Sequence, residues 1–189
     1  MPKQSVLTVQ DPLIMLARAA VERYVREQTI LPIPDPLPEA QKQTKGVFVS
    51  LIKDGALRGC VGHVRSRQSS LAKEVIYTAI AAAVHDPRFT PVISEELEKL
   101  SYIVDVIDEI KAIRTHEQLD AKLYGVVVYH ERRQGVVLPN IAGIDDVEQQ
   151  LDLARRRAGA QPHDRVRMER FTIQRIIEIS GEYQQTISK

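Results

Sequence analysis

The densest run of chemically able residues is Leu57-Arg58-Gly59-Cys60-Val61-Gly62-His63, which holds the chain's one cysteine. A thiolate is a nucleophile and a metal ligand, and a neighbouring cation raises its fraction by lowering the thiol pKa. Arg58 stands two positions from Cys60, so on a regular strand the two share a face. Gly59 and Gly62 strip side-chain bulk from both flanks, which admits a ligand or another backbone segment. The pattern points to Cys60 as a candidate catalytic thiol, with Arg58, Gly59 and Gly62 as candidate binding residues around it. The same residues also suit a small buried cysteine packed under a helix. Cys60 and His63 are three apart, which on a regular strand sends them to opposite faces. A Cys–His pair then requires a chain turn at Gly62 or a distant partner such as His85. Two ligands do not complete a zinc site, and no metal or other cofactor is expected.

A second constellation is His85-Asp86-Pro87-Arg88-Phe89-Thr90-Pro91. Two prolines stiffen the backbone around Arg88, whose planar fork suits a carboxylate or phosphate. Asp86, Arg88 and Phe89 are therefore candidate binding residues, and a small anionic ligand is a candidate partner. The structural alternative is a rigid turn with Arg88 paired to Asp86 or Glu95. A third is Leu138-Pro139-Asn140, where Pro139 ends a strand at a position that often lines a cleft.

These residues need elements to position them. Asp11 as N-cap and Pro12 at N1 start a helix over 12–27, with apolar residues at helical spacing from Leu13 to Val25. The segment 31–45 opens with alternating prolines and reads as a stiff, extended connector. A strand at 46–53, the turn Asp54-Gly55 and a return strand at 56–61 form a hairpin around the cysteine motif. Ser69 or Ser70 caps a helix running to about His85, which Asp86-Pro87 ends. Its small residues, Ala79 and Ala81 to Ala83, allow close backbone approach. A short helix starts at Ser94, and 101–108 reads as a strand. Thr115 with Gln118 fits a capping box. Strands at 124–129 and 136–138 flank a loop at 131–135. Asp145 with Glu148 starts a helix that Gly159 ends, and 166–179 is strand-like. Hairpins with helices between them, and no βαβ series, predict an α+β fold on mainly antiparallel sheet in one domain, 1–189.

The chain has 189 residues, 43% hydrophobic and 27% charged, which suits a globular domain of this length. Lys and Arg number 26 against 25 Asp and Glu, a net charge of +1, so no face for DNA or a membrane surface is expected. One cysteine closes no intrachain disulfide, and a cytoplasmic location is expected. The first residues lack the apolar core of a signal peptide. Signatures for nucleotide-dependent, zincin, serine-hydrolase and radical-SAM chemistry are missing.

The order of segments has a family look. Gly46-Val-Phe-Val-Ser50, then Leu57-Arg-Gly-Cys-Val-Gly62, an Ala-rich helix, Asp86-Pro-Arg-Phe89 with Pro91, Glu95-Glu-Leu97, Gly125 and Val137-Leu-Pro139 resembles the AMMECR family, that of AmmeMemoRadiSam system protein A. The resemblance runs from about Gly46 to about Glu178. It implies two unequal lobes with antiparallel sheets and the Cys60 motif near a cleft. It also implies association with a Memo-like protein and a radical-SAM protein, and carries no settled activity. The family's motif residues fall here on Arg58, Gly59, Cys60, Gly62, Asp86, Arg88 and Phe89. His63, His85, Pro139-Asn140-Ile141 and Arg155-Arg-Arg157 depart from its usual pattern.

Three functions compete. The first is a binding module with its cleft at Leu57 to Gly62. The second is a thiol-dependent enzyme or carrier using Cys60. The third is an RNA-binding protein using the Arg-rich C-terminal third.

Overall fold

The computed structural model describes residues 11–178. They fall into two units, a larger one of residues 11–106 with 175–178 and a smaller one of residues 107–174. The elements are helices α1 (Pro12–Glu27), α2 (Glu39–Lys42), α3 (Leu71–Val84) and α4 (Val147–Ala158), with strands β1 (Val47–Lys53), β2 (Ala56–His63), β3 (Leu100–Ile113), β4 (Gly125–His130), β5 (Arg133–Val137) and β6 (Arg167–Ile177). A two-turn 3-10 helix occupies Ser94–Lys99 and a single 3-10 turn His116–Gln118. The strands hydrogen-bond in the order β2-β1-β3-β6-β4-β5, which makes the fold α+β. β1 pairs antiparallel with β2 and β3, and β4 pairs antiparallel with β5 and β6. Among the described residues no helix is long and apolar enough to cross a membrane.

Local signals account for the larger unit. The Asp11 carboxylate accepts the Leu13 N–H at 2.8 Å, and Pro12 opens α1. The helix buries Ile14, Leu16, Ala17, Ala20 and Val21, and Gln28 ends it in the left-handed region with φ of 55°. Ser70 caps α3 by accepting the Lys73 N–H at 3.3 Å. Asp54 and Gly55 both have positive φ, 52° and 76°, as a tight hairpin turn requires. Val47, Val49 and Leu51 of β1, with Tyr102, Val104 and Val106 of β3, meet α1 and α3 in one apolar cluster. Leu31 and Leu37 of the Pro-rich segment pack against that cluster. The expected connector at 31–45 also contains the single turn α2, where Gln41 is buried.

The Ala-rich side of α3 has a clear use. A Cβ on Gly59 would run into the carbonyl oxygen of Ala82, so strand and helix backbones touch there. Gly59→Ala is expected to cost about 2 kcal/mol, the scale of overpacking a core. A fall in Tm of roughly 5 °C in a thermal melt would show it, and an unchanged melt would contradict the contact.

The smaller unit packs α4 on β4 and β5 through Val126, Val128, Val137, Ala154 and Ala158. Three boundaries differ from expectation. Asp146, not Asp145, caps α4, accepting the Gln149 N–H at 2.8 Å, while the Asp145 N–H donates to the Gln149 side chain at 2.9 Å. The loop expected at 131–135 is only the turn at Glu131 and Arg132, because Gly135 lies within β5 under Ala154 of α4. β3 continues five residues past Asp108, to Ile113. The last strand ends at Ile177, and Ile179 lies outside the described residues.

Candidate functional site

The β1–β2 register decides which side chains meet. Gly59, Val61 and His63 stand opposite Leu51, Val49 and Val47, whose side chains join the core with α1 and α3. Cys60 and Gly62 stand opposite Ser50 and Phe48, on the other face. β3 adds Ile103 opposite Ser50 and Asp105 opposite Phe48. The site face of the larger unit thus carries Cys60, Ser50, Phe48 and Asp105. Gly62 admits the Phe48 ring, since a Cβ there would strike it. The chain does not turn at Gly62. His63 therefore points away from Cys60, with Nδ1 3.7 Å from the buried Glu74 of α3. His85 is the exposed C-cap of α3. Among the described residues no cluster of three or more His, Cys, Asp or Glu could hold a metal ion.

β2 is an edge strand, so its outward N–H and C=O groups need partners that no strand supplies. At Cys60 the Asp86–Arg88 turn supplies them. The Cys60 N–H donates to Asp86 Oδ2 at 2.8 Å, and the Cys60 carbonyl accepts from Arg88 Nη2 at 3.2 Å. Arg88 in turn donates to Asp86 through Nε at 2.9 Å, Nη2 at 2.7 Å and its backbone N–H at 3.1 Å. These bonds, the Arg88 guanidinium first, hold the Asp86 carboxyl at about 2, against its burial. Arg88 is about half exposed and lies 5.4 Å from the Phe89 ring. Its guanidinium also donates a hydrogen bond to the Cys60 sulfur.

The thiol is half-buried and sits beside the Ser50 hydroxyl and the Arg88 guanidinium. Burial is the strongest influence and pushes its pKa up. The Ser50 hydrogen bond and the Arg88 charge pull it down, while Asp105 and Asp86 add to the rise. The net shift is upward, so Cys60 is a thiol at neutral pH.

This corrects the expected role of Arg58. Pairing is irregular between Leu51 and Ile52, where Gly59 and then Leu57 stand opposite, so Arg58 falls in a bulge. Its guanidinium is bound by Glu96 at 2.9 and 2.8 Å, and Lys53 adds a third bond to Glu96 at 2.8 Å. Arg58, ahead of Lys53, holds the Glu96 carboxyl at about 2. The cation acting on Cys60 is Arg88.

Sequence reasoning missed Asp105 and Arg175 as parts of this face. Asp105 is almost fully buried and accepts from Arg175 Nε at 2.7 Å and Nη2 at 3.0 Å. Its pKa is raised by burial, against the pull of Arg175. The available signal was a lone acid between the buried Val104 and Val106. Pro139 is buried and lies in the smaller unit, after β5, whereas Cys60, Asp86 and Arg88 all belong to the larger one. The three consecutive arginines of α4 are engaged locally. Arg155 binds three carbonyls of the following loop, Arg156 pairs with Asp152, and Arg157 donates to the Val136 carbonyl.

The AMMECR1 family model matches residues 14–176. A Clostridium acetobutylicum protein is 41% identical over 168 residues, 88% of this chain but 36% of that protein. A Thermotoga maritima protein is 40% identical over 169 residues, covering 88% of this chain and 97% of that one. The crystal structure of an uncharacterised Pyrococcus horikoshii protein superposes with a TM-score of 0.80 at 28% identity, over 86% of this chain and 88% of that one. Family match, relatives and fold agree along nearly the whole described chain, which belongs to the AMMECR1 family.

Proposed function

We propose that the protein is a binding module whose site is the sheet face and edge around Cys60, and that it takes a small anionic ligand there. Cys60, Ser50 and Arg88 would contact the ligand, with the half-exposed Arg88 guanidinium as the charged donor. Gly62 seats the Phe48 ring beside the site, Gly59 lets α3 pack against the back of the strand, and Asp86 fixes Arg88. The observation that carries this reading is the double clamp of Asp86 and Arg88 on the Cys60 backbone, beside a thiol held in its neutral form. Such a site is built to hold its shape. The chain would act with Memo-like and radical-SAM proteins. In the Clostridium relative the matching stretch is 36% of the protein, so there the domain is joined to further chain, which supports a module that works with a partner.

A thiol-dependent enzyme is the second reading. Ser50 and Arg88 both favour the thiolate that it requires, but burial outweighs them. Iodoacetamide labelling followed by mass spectrometry separates the two. In the folded protein at neutral pH, Cys60 should react more slowly than a free model thiol, because only the thiolate attacks. Faster reaction than the model thiol would establish the enzyme reading and remove the binding one. Cys60→Ser should keep function in a system reconstituted with the partner proteins, while Arg88→Ala loses it.

A further inference from the structure

The smaller unit carries a half-open cleft of about 880 Å³ beside α4, within the size range of small-molecule sites. Val147 and Leu151 lie one helical turn apart on its wall, and Ala160 and Pro162 extend the apolar surface. Arg155 comes one turn further along the same face. Its Nη1 is anchored to the carbonyls of Gln161, Pro162 and Asp164 at 3.1, 3.3 and 3.3 Å. Its Nε and Nη2 have no hydrogen-bond partner among the described residues. The guanidinium is thus held in place while its carboxylate-binding edge stays open. Arg156 on the same wall is neutralised by Asp152. Glu148, two turns before Arg155, places a negative charge towards the other end. One anchored cation with an open Nε–Nη2 edge at one end, apolar wall between and an acid opposite fit a ligand with one anionic head and an apolar body.

We propose that this cleft binds an amphiphilic monocarboxylate, its carboxylate on Nε and Nη2 of Arg155 and its carbon chain along Leu151 and Val147. The cleft lies within the smaller unit, so the proposal is independent of the Cys60 site. Glu148 and Asp152 disfavour a polyanion such as RNA, because like charges would meet along the wall.

The test uses the full chain and octanoate as probe, followed by ¹⁵N–¹H spectra at low salt and neutral pH. Expected are saturable shifts confined to residues 147–162 and His116. Octanol, with the same chain and no charge, should bind about tenfold more weakly or worse, the scale of a charge-assisted hydrogen bond. Leu151→Gln and Arg155→Gln should each weaken octanoate binding by about tenfold. No saturable shift up to about 10 mM octanoate overturns the proposal, since that is weaker than any specific site of this size. Equal binding of octanol, or shifts centred on Cys60, also overturns it. The comparison of octanoate with octanol uses the natural chain and does not depend on how either variant folds.

Discussion

Asp86→Ala is expected to cost about 2–3 kcal/mol, the scale of losing charge-assisted hydrogen bonds at a buried carboxylate whose cation, Arg88, is half exposed and stays solvated. The Asp86 carboxylate accepts four hydrogen bonds, one from the Cys60 N–H and three from Arg88. Its loss orphans the strand N–H and releases the guanidinium that holds the Cys60 carbonyl. In a chain of this length the melting temperature should drop by roughly 5–10 °C. The pH dependence has a definite sign. The folded-state pKa is depressed from 3.8 to about 2, so the stabilisation is fully present above the ordinary value and is lost as pH falls towards 2. That contribution is about 2 kcal/mol. Urea denaturation of both proteins should therefore show a gap that narrows between pH 5 and pH 3. A variant within about 0.5 kcal/mol of the natural protein at pH 7 would remove Asp86 from its structural role.

Arg175→Met is expected to destabilise more, by about 3–5 kcal/mol, the range for leaving a buried charge unpaired, and with the opposite pH signature. Asp105 has a side-chain exposure of only 2%, and burial already raises its pKa while Arg175 is in place. Without the arginine the carboxylate has no compensating charge, and its pKa rises further. A carboxyl whose folded pKa lies above the unfolded value destabilises increasingly as pH rises through that window, and the penalty vanishes below the unfolded pKa. The variant should accordingly regain stability on acidification from pH 7 towards pH 5. Adding Asp105→Asn to Arg175→Met should restore much of the loss at pH 7. If acidification weakens the single variant as much as the natural protein, Asp105 is not an uncompensated charge in it.

The fold was legible where the information is local. Asp11-Pro12, Asp54-Gly55, Ser70 and Gly159 each act within a few residues, through a cap or a positive φ. The length of β3 was not, because its exposed residues from Asp108 to Glu109 carry no alternating apolar signal, and a neighbouring strand defines them. Gly135 resembled a loop glycine because the helix that requires its bareness lies about twenty residues further on. The candidate site divides the same way. The cysteine motif and the Asp86–Phe89 turn stand out by their own composition. Their connections do not, since Arg58 meets Glu96 38 residues away and Arg175 meets Asp105 70 residues away. Long-range charge pairing is set by register and burial, so a favourable two-residue spacing gave Arg58 a role that Arg88 fills.

The clamp on the outer rim of β2 has a consequence for how molecules of this protein meet one another. A bare strand edge is a template on which another chain can lay a strand of its own. Around Cys60 that rail is occupied by a carboxylate and a guanidinium, and no incoming backbone can pair there without displacing both. The turn that clamps the Cys60 edge is thereby also a guard against chain-to-chain stacking. Weakening it would loosen the Cys60 site and open the chain to aggregation at the same point.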